Sequence, residues 1–220
     1  MRSERNDAER IAVAIGNRFE GRWLRTYVCT KLRSDLAYEA AREAFEGSDL
    51  PILDIGCGVG LLGLYLRESG HRAPFIGIDA DEKKIAAARR VAANAADMHF
   101  EVRDAIDDFP FAGNVALIDV LHYLPDSAQE SLLSSVAERI PSGGIVLIRD
   151  CPKDGSWRER ATWLEEVFAR GIGWMQTERI NFPPVERICR PFDSGAFEQT
   201  IRPLWGRTPF NSHLFLFRRR

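Results

Sequence analysis

The sequence lacks an excess of charge of either sign: 30 Lys and Arg stand against 32 Asp and Glu over 220 residues, a net charge of −2. No global basic field exists to grip a phosphate backbone by counterion release, so general nucleic-acid binding is disfavoured. A long apolar run is missing too. The best stretch, residues 52–66, is interrupted by Asp54 and several glycines and falls short of the roughly 20 residues that a spanning helix needs. Near the N-terminus, Glu9-Arg10-Ile11-Ala12-Val13 alternates charge with short apolar groups, and its apolar core is shorter than the about 7 to 15 residues of a secretory signal. No membrane association and a cytoplasmic location are therefore expected. Cysteine is scarce: Cys29, Cys57, Cys151 and Cys189 stand singly, without the C-x-x-C spacing of a zinc site or redox pair. Reduced, mostly buried thiols and metal-free chemistry are the expectation.

What is present is an ordinary globular composition, 45% hydrophobic and 28% charged, enough for one domain with a sizeable core. From Pro51 onward, short apolar runs alternate with helical stretches, the pattern of parallel strands joined by crossover helices. Strands are expected over Ile52–Ile55, Phe75–Ile78, Met98–Val102, Val115–Leu121 and Ile145–Arg149, each bounded by Gly, Pro or Asp. Helices are expected over Gly60–Ser69, Asp81–Ala95 and Asp126–Ile140, the last opened by a capping box of Asp126 with Gln129. A further helix, Ser156–Arg170, presents Trp163, Leu164, Val167 and Phe168 as a core-facing stripe. A short helix near Val185–Pro191 and strands over Ala196–Pro203 and Ser212–Arg218 complete a seven-strand count. Ahead of the first strand, Ala8–Phe19, Arg22–Arg33 and Ser34–Phe45 read as helices, with Ser34 as an N-cap. The fold class is thus α/β, a doubly wound sheet, with residues 1–47 as an N-terminal helical cap of the same domain and 48–220 as its body.

The chemistry concentrates at the strand ends. Asp54-Ile55-Gly56-Cys57-Gly58-Val59-Gly60 runs from a buried strand straight into a helix, and its glycines let the backbone turn sharply and approach a nucleotide-like ligand. The dinucleotide fingerprint of hydride-transferring enzymes needs a glycine where this chain has Leu61, which weakens a nicotinamide reading. Asp54 can orient the loop or receive a ligand ammonium through water. Asp79 ends the second strand, where a carboxylate can accept both hydroxyl hydrogens of a ribose while Asp81 caps the next helix. Asp104 follows the third strand, placed to accept from an exocyclic adenine amine or simply to sit solvated on the surface.

Asp54 to Gly60, then Asp79, then Asp104, then Ile118-Asp119-Val120-Leu121-His122-Tyr123-Leu124, taken in order, resemble the class I S-adenosylmethionine-dependent methyltransferases. The resemblance spans about Pro51 to Asp150 and implies a Rossmann-like, mostly parallel seven-stranded sheet whose last strand is antiparallel. It implies S-adenosylmethionine as cofactor, with Gly56, Gly58 and Gly60 bordering its methionine part, Asp79 the ribose and Asp104 the adenine amine. Ala80, Ala105, Asp119, Tyr27 and Lys31 join the implied cofactor-binding set. Leu121-His122-Tyr123-Leu124 resembles small-molecule methyltransferases, and no Asn/Asp-Pro-Pro-Tyr/Phe stretch of amino-methylating nucleic-acid enzymes follows the fourth strand. Tyr27-x-x-x-Lys31-x-x-x-Asp35, with the ending Trp205 to Leu214, is similar to methyltransferases near bacterial aryl-polyene and polyketide pigment pathways, although their Asp-Pro is Asp35-Leu36 here. Secondary metabolism is the implied setting.

Methyl transfer from a sulfonium is a direct displacement, so the protein chiefly aligns the reactants and excludes water, with a base needed only if the acceptor must lose a proton. His122 is the candidate base, since an imidazole suits proton removal from a phenol-like or acidic carbon acceptor. Its rival role is to hydrogen-bond the backbone and orient the loop. Asp119 and Tyr123 are further catalytic candidates on the same rim, joined by Asp150. Trp205 and Arg207 are candidates to stack on or neutralise an acceptor, while His213 is expected to pack at a strand start. The N-terminal helices carry Arg22, Arg25, Lys31 and Arg33 beside Trp23 and Tyr27, positive charge that suits a carboxylate-bearing substrate or an acyl-carrier protein, or simply a solvated helix face. Two other classes stay open: a non-catalytic S-adenosylmethionine-binding partner subunit, and an NAD(P)-dependent oxidoreductase. The sequence is silent on oligomeric state.

Overall fold

The computed structural model describes residues 2–95, 97–107, 110–171, 180–206 and 208–220. Its helices are α1 (Arg2–Gly16), α2 (Arg22–Ser34), α3 (Ala37–Phe45), α4 (Leu61–Glu68), α5 (Glu82–Val91), α6 (Asp126–Arg139), α7 (Trp157–Gly171) and α8 (Val185–Cys189). Its strands are β1 (Ile52–Ile55), β2 (Phe75–Asp79), β3 (Met98–Val102), β4 (Asn114–Ile118), β5 (Ile145–Asp150), β6 (Phe197–Pro203) and β7 (His213–Arg219). They form one seven-stranded sheet in the order β3-β2-β1-β4-β5-β7-β6. β1–β2, β2–β3 and β4–β5 pair parallel, whereas β7 runs antiparallel to both β5 and β6. This is the doubly wound, Rossmann-like α/β class expected from the sequence. Within it the chain packs as two compact units, Met1–Asp107 and Asp108–Arg220. No helix of the described residues is long and apolar enough to cross a membrane.

In the first unit, all four residues of β1 are buried, which explains why it reads as an unbroken apolar run rather than an alternating one. Leu61, Leu62, Leu64, Tyr65 and Leu66 make α4 buried over most of its circumference, because α1 and α3 also lie against it. Each buried leucine contributes about 1.5–3 kcal/mol to the fold. Tyr65 donates its hydroxyl to Glu39 at 2.8 Å, and Arg42 grips the same carboxylate at 2.6 Å, which holds it below the usual carboxylate range. The expected cap at Ser34 does not form. Ser34 donates back to Thr30 O within α2, and Asp35 instead accepts the Ala37 N–H at 3.0 Å at the start of α3.

In the second unit, β5 is buried along its full length and the β6–β7 hairpin leaves most of β6 exposed at the sheet edge. Phe192 stacks on Phe217 with centroids 4.1 Å apart. β4 ends at Ile118, three residues before its expected end, because Asp119 turns to φ 58° and Leu121–Tyr123 coil into a 3-10 turn. The capping box at Asp126 is also absent: Pro125 occupies the N-cap, and Gln129 is drawn into tertiary hydrogen bonds described below. The α7 stripe is not core: Trp163 is 51% and Leu164 63% exposed, and the Phe168 side chain lies outside the described residues. Across both units the four cysteines are free thiols, Cys57 and Cys151 buried and Cys29 and Cys189 half-buried. Burial pushes the Cys151 thiol up to about 12, which removes it from consideration as a nucleophile.

Candidate active site

The glycine loop of the first unit is built by β1 and β2. Gly56 and Cys57 both donate their N–H to Ile78 O, at 2.8 and 2.9 Å, and Gly58 N–H donates to Asp79 Oδ2 at 2.9 Å. Asp79 Oδ1 accepts the Asp81 N–H at 2.8 Å. Two backbone amides thus fix the carboxylate, and each oxygen keeps a lone-pair direction for a ligand hydroxyl. Asp81 does cap α5, accepting from Lys83 and Lys84 N–H. Gly58 has φ 55° and a Cβ built there would meet nothing within 4 Å, so open space lies in front of it. Gly60, at φ 81°, differs: its Cβ would lie 2.8 Å from the Phe100 ring and 3.2 Å from Ala88, so this glycine serves helix–sheet packing.

Asp54 is 3% exposed, and burial first, then the negative charge of Asp79, holds its carboxyl well above the usual range. A cationic ligand group beside it would favour its ionised form. The loop therefore suits a ligand with a hydroxyl pair and a positively charged group, as S-adenosylmethionine has.

The other predicted cofactor residues of this unit are less committed. Asp104 is exposed, with Oδ1 accepting the Ile106 N–H at 3.2 Å in a tight turn, beside half-buried Ala105. Ala80 is exposed next to Asp79. Tyr27 stacks on Trp23 with centroids 5.9 Å apart, and Lys31 pairs with Asp35 at 2.9 Å. Arg33 pairs with Glu9, so part of the positive charge of α2 is answered within the chain. A cleft of about 420 Å³ between α5 and β3, lined by Arg89, Ala92, Met98, His99 and Phe100, contains none of the predicted site residues.

In the second unit, the end of β4 brings Asp119, His122 and Tyr123 together. Among the described residues Asp119 is the one non-glycine with positive φ. Its carboxylate pairs with Arg149, which is 8% exposed on β5, and its N–H donates to Arg149 O at 2.9 Å. His122 is 2% exposed and its Nδ1 lies 2.8 Å from Asp150 Oδ1. Tyr123 is half-buried and packs on the imidazole at 4.0 Å, with Phe182 at 5.7 Å. His213 sits at the start of β7, against Trp205 and Asn211 O. Trp205 is covered by Arg158, whose guanidinium lies 4.4 Å from its ring and 4.8 Å from that of Trp157. Arg207 lies outside the described residues. No group of three or more metal-ligating side chains occurs among the described residues.

Sequence reasoning missed the support of this turn. Gln129 is fully buried, and its Nε2, with two hydrogens shared among three acceptors, lies 2.9 Å from Leu121 O, 3.1 Å from Leu124 O and 2.8 Å from Asn181 O, while its Oε1 accepts from Arg187 at 2.9 Å. Asn181 N–H donates to His122 O at 2.8 Å. The sole sequence signal was a glutamine on the apolar side of α6, which reads equally well as a capping residue.

Residues 52–144 match the family model described as a methyltransferase domain. No curated sequence matches the chain at a significant level. Among solved structures, magnesium protoporphyrin IX methyltransferase from Synechocystis PCC 6803, crystallised with bound S-adenosylhomocysteine, is 19% identical with a TM-score of 0.64, covering 91% of this chain and 89% of that one. Human N-acetylserotonin methyltransferase in complex with S-adenosylmethionine is 18% identical at TM-score 0.61, over 93% of this chain and 56% of that one. The N-methyltransferase NodS from Bradyrhizobium japonicum WM9 is 14% identical at TM-score 0.60, over 83% and 85%. Residues 52–144 thus match a methyltransferase domain, and the chain has the fold of the S-adenosylmethionine-dependent methyltransferases to which it is similar.

Proposed function

We propose that the chain methylates an oxygen or carbon of a small metabolite, with aromatic and polyketide-like acceptors the class to screen first. The observation that carries this reading is the buried His122–Asp150 pair at the strand ends of the second unit, walled by Tyr123 and Phe182. An imidazole held by a carboxylate is equipped to take a proton from a phenol-like or enolic acceptor. Structures of similar fold include methyltransferases named for a porphyrin and for N-acetylserotonin and a protein of pyocyanin biosynthesis, all small aromatic systems.

In this reading Asp79 holds the ribose diol, Gly56 and Gly58 border the methionine part, Asp54 faces its ammonium, and Asp104 accepts from the adenine amine. Ala80, Ala105, Tyr27 and Lys31 complete that set. Bound S-adenosylmethionine supplies an electrophilic methyl. Asp119, already neutralised by Arg149, orients the turn rather than moving a proton, and Tyr123 shapes the acceptor wall. Residues 1–47 act as a helical cap of the same domain, supported by the packing of α1 and α3 on α4. A cytoplasmic role in secondary metabolism, with an acyl-carrier protein as a presenting partner, completes the proposal. A second reading, a cofactor-binding subunit without turnover, draws on the 2% exposure of His122.

The test is a screen with methyl-labelled S-adenosylmethionine against phenols, hydroxylated polyketide mimics and carrier-tethered acyl chains. Labelled product supports the enzyme reading. Cofactor binding with no product across the panel supports the subunit. His122→Asn preserves a nitrogen donor to Asp150 while removing the base, and it is expected to slow transfer by about 10²-fold or more. An unchanged rate in that variant leaves His122 the loop-orienting role alone.

A further inference from the structure

We infer that β6 is the contact edge of a homodimer, in which two copies of the chain pair their β6 strands antiparallel about Thr200 and join their sheets. β6 lies at one edge of the sheet, and every residue from Glu198 to Pro203 is exposed along it. The two ends of the β6–β7 ladder fix its hydrogen-bonding phase. Leu204 N–H donates to Ser212 O at 2.8 Å and Arg220 N–H to Ala196 O at 3.0 Å, in the same register that sets Thr200 opposite Leu216. Hydrogen-bonded pairs alternate along an antiparallel ladder. Glu198, Thr200 and Arg202 therefore turn their backbone groups to β7, while Phe197, Gln199, Ile201 and Pro203 direct theirs outward.

Both ends of that outward row are closed. Phe197 N–H already donates to Asp193 O at 2.8 Å, and Pro203 has no N–H to offer. Gln199 and Ile201 are left, each with a backbone donor and acceptor that have no partner among the described residues. Such an edge is a template for another strand, and natural edges are blunted by lysine, proline or covering groups. At β3, the other edge, blunting is present: Met98 N–H donates to Ala95 O at 3.1 Å and Arg89 Nε to Phe100 O at 2.7 Å. Residues 198–202 carry no lysine or proline but do carry the β-branched Thr200 and Ile201, the latter 43% exposed.

The order of the segment, Glu-Gln-Thr-Ile-Arg, selects a second copy of the chain as its occupant. With a two-fold axis at Thr200, Gln199 of each copy falls opposite Ile201 of the other, so every open donor meets an open acceptor. Glu198 falls opposite Arg202 on both sides of the axis, in the close non-hydrogen-bonded positions where opposite charges attract across strands. Arg218 of β7 also stands opposite Glu198 within the chain. An axis at Gln199 calls on the occupied N–H of Phe197, and an axis at Ile201 on the missing N–H of Pro203; neither sets Glu198 against Arg202. A pairing of this length is smaller than the roughly 1,600 Å² of a standard interface, so the dimer forms and dissociates with concentration.

The experiment is sedimentation velocity of the full chain over a dilution series reaching the upper micromolar range. The wild type is expected to pass from monomer to dimer as concentration rises. Thr200→Lys sets like charges face to face at the axis and is expected to raise the dimer Kd about 10-fold or more. Glu198→Arg and Arg202→Glu are each expected to be monomeric where the wild type is dimeric. An equimolar mixture of those two variants is expected to dimerise again, because the basic strand of one meets the acidic strand of the other. Far-UV circular dichroism and urea midpoints establish that each variant is folded. A wild type that stays monomeric leaves the edge to another protein's strand and overturns the inference. So does a dimer that Thr200→Lys leaves intact, or a mixture of folded charge variants that does not recover. Should either charge variant not fold, Thr200→Lys decides alone, since its side chain enters solvent at an exposed position.

Discussion

Alanine at Gly58 and alanine at Gly60 separate what a glycine does for a ligand from what it does for packing. Both positions are left-handed, at φ 55° and 81°, so each substitution carries about 1–2 kcal/mol of backbone cost. At Gly60 the new methyl is also pressed to 2.8 Å from the Phe100 ring and 3.2 Å from Ala88. Phe100 is 4% exposed and Ala88 fully buried, so neither neighbour has room to yield, and overpacking adds about 1–3 kcal/mol. Gly60→Ala should therefore cost about 2–5 kcal/mol. Gly58→Ala should stop at the backbone cost, since its methyl enters open space. Urea unfolding at constant slope reads the difference directly. Calorimetry with S-adenosylhomocysteine completes the contrast: Gly58→Ala loses affinity in a protein that still folds, because the methyl occupies the space in front of the loop. Equal destabilisation by the two variants would refute the packing role of Gly60, and full affinity in Gly58→Ala would refute the ligand role of Gly58.

Asp54→Asn tests the buried acid. The folded chain holds a proton on Asp54 more tightly than the unfolded chain, so its contribution to stability is full below the unfolded value near 3.8 and lost as pH rises through the raised folded value. Asparagine should equal the wild type at low pH and become progressively more stable above it, by about 1.4 kcal/mol for each pKa unit of separation, in ligand-free protein; a difference independent of pH would contradict this. Gln129→Ala removes the amide's bonds to the Leu121, Leu124 and Asn181 carbonyls and to Arg187, while Leu121 O keeps Leu124 N–H, Leu124 O keeps Asn181 Nδ2 and Arg187 keeps Asp126, and should cost about 1–3 kcal/mol in urea unfolding; a loss below about 0.5 kcal/mol would show that water replaces the amide.

Much of the fold was legible because parallel strands covered on both faces must be short apolar runs, and β1, β2, β3 and β5 fell within a residue or so of their expected bounds. The glycine loop with Asp79 was legible for a related reason: a strand that turns directly into a helix leaves few residue types that fit. The errors have physical causes. Val120 and Leu121 look like strand to any local reading, and the left-handed turn at Asp119 that ends β4 is fixed by Arg149, thirty positions on. Gln129 has the spacing of a capping box but is claimed by carbonyls of its own preceding turn and by Asn181. Trp163 and Leu164 have helical core spacing yet stand exposed. His122 was named as a candidate base, but its partnership with Asp150 joins the turn after β4 to the end of β5, a contact that sheet order creates and spacing along the chain does not reveal.

The most direct test of the central claim is calorimetric titration of the purified chain with S-adenosylhomocysteine, beside NADH, repeated on Asp79→Ala. The account predicts saturable binding of the first ligand alone, weakened about 10- to 100-fold in the variant through loss of a charge-assisted contact. Binding of NADH alone, or of neither ligand by a folded protein, would contradict it.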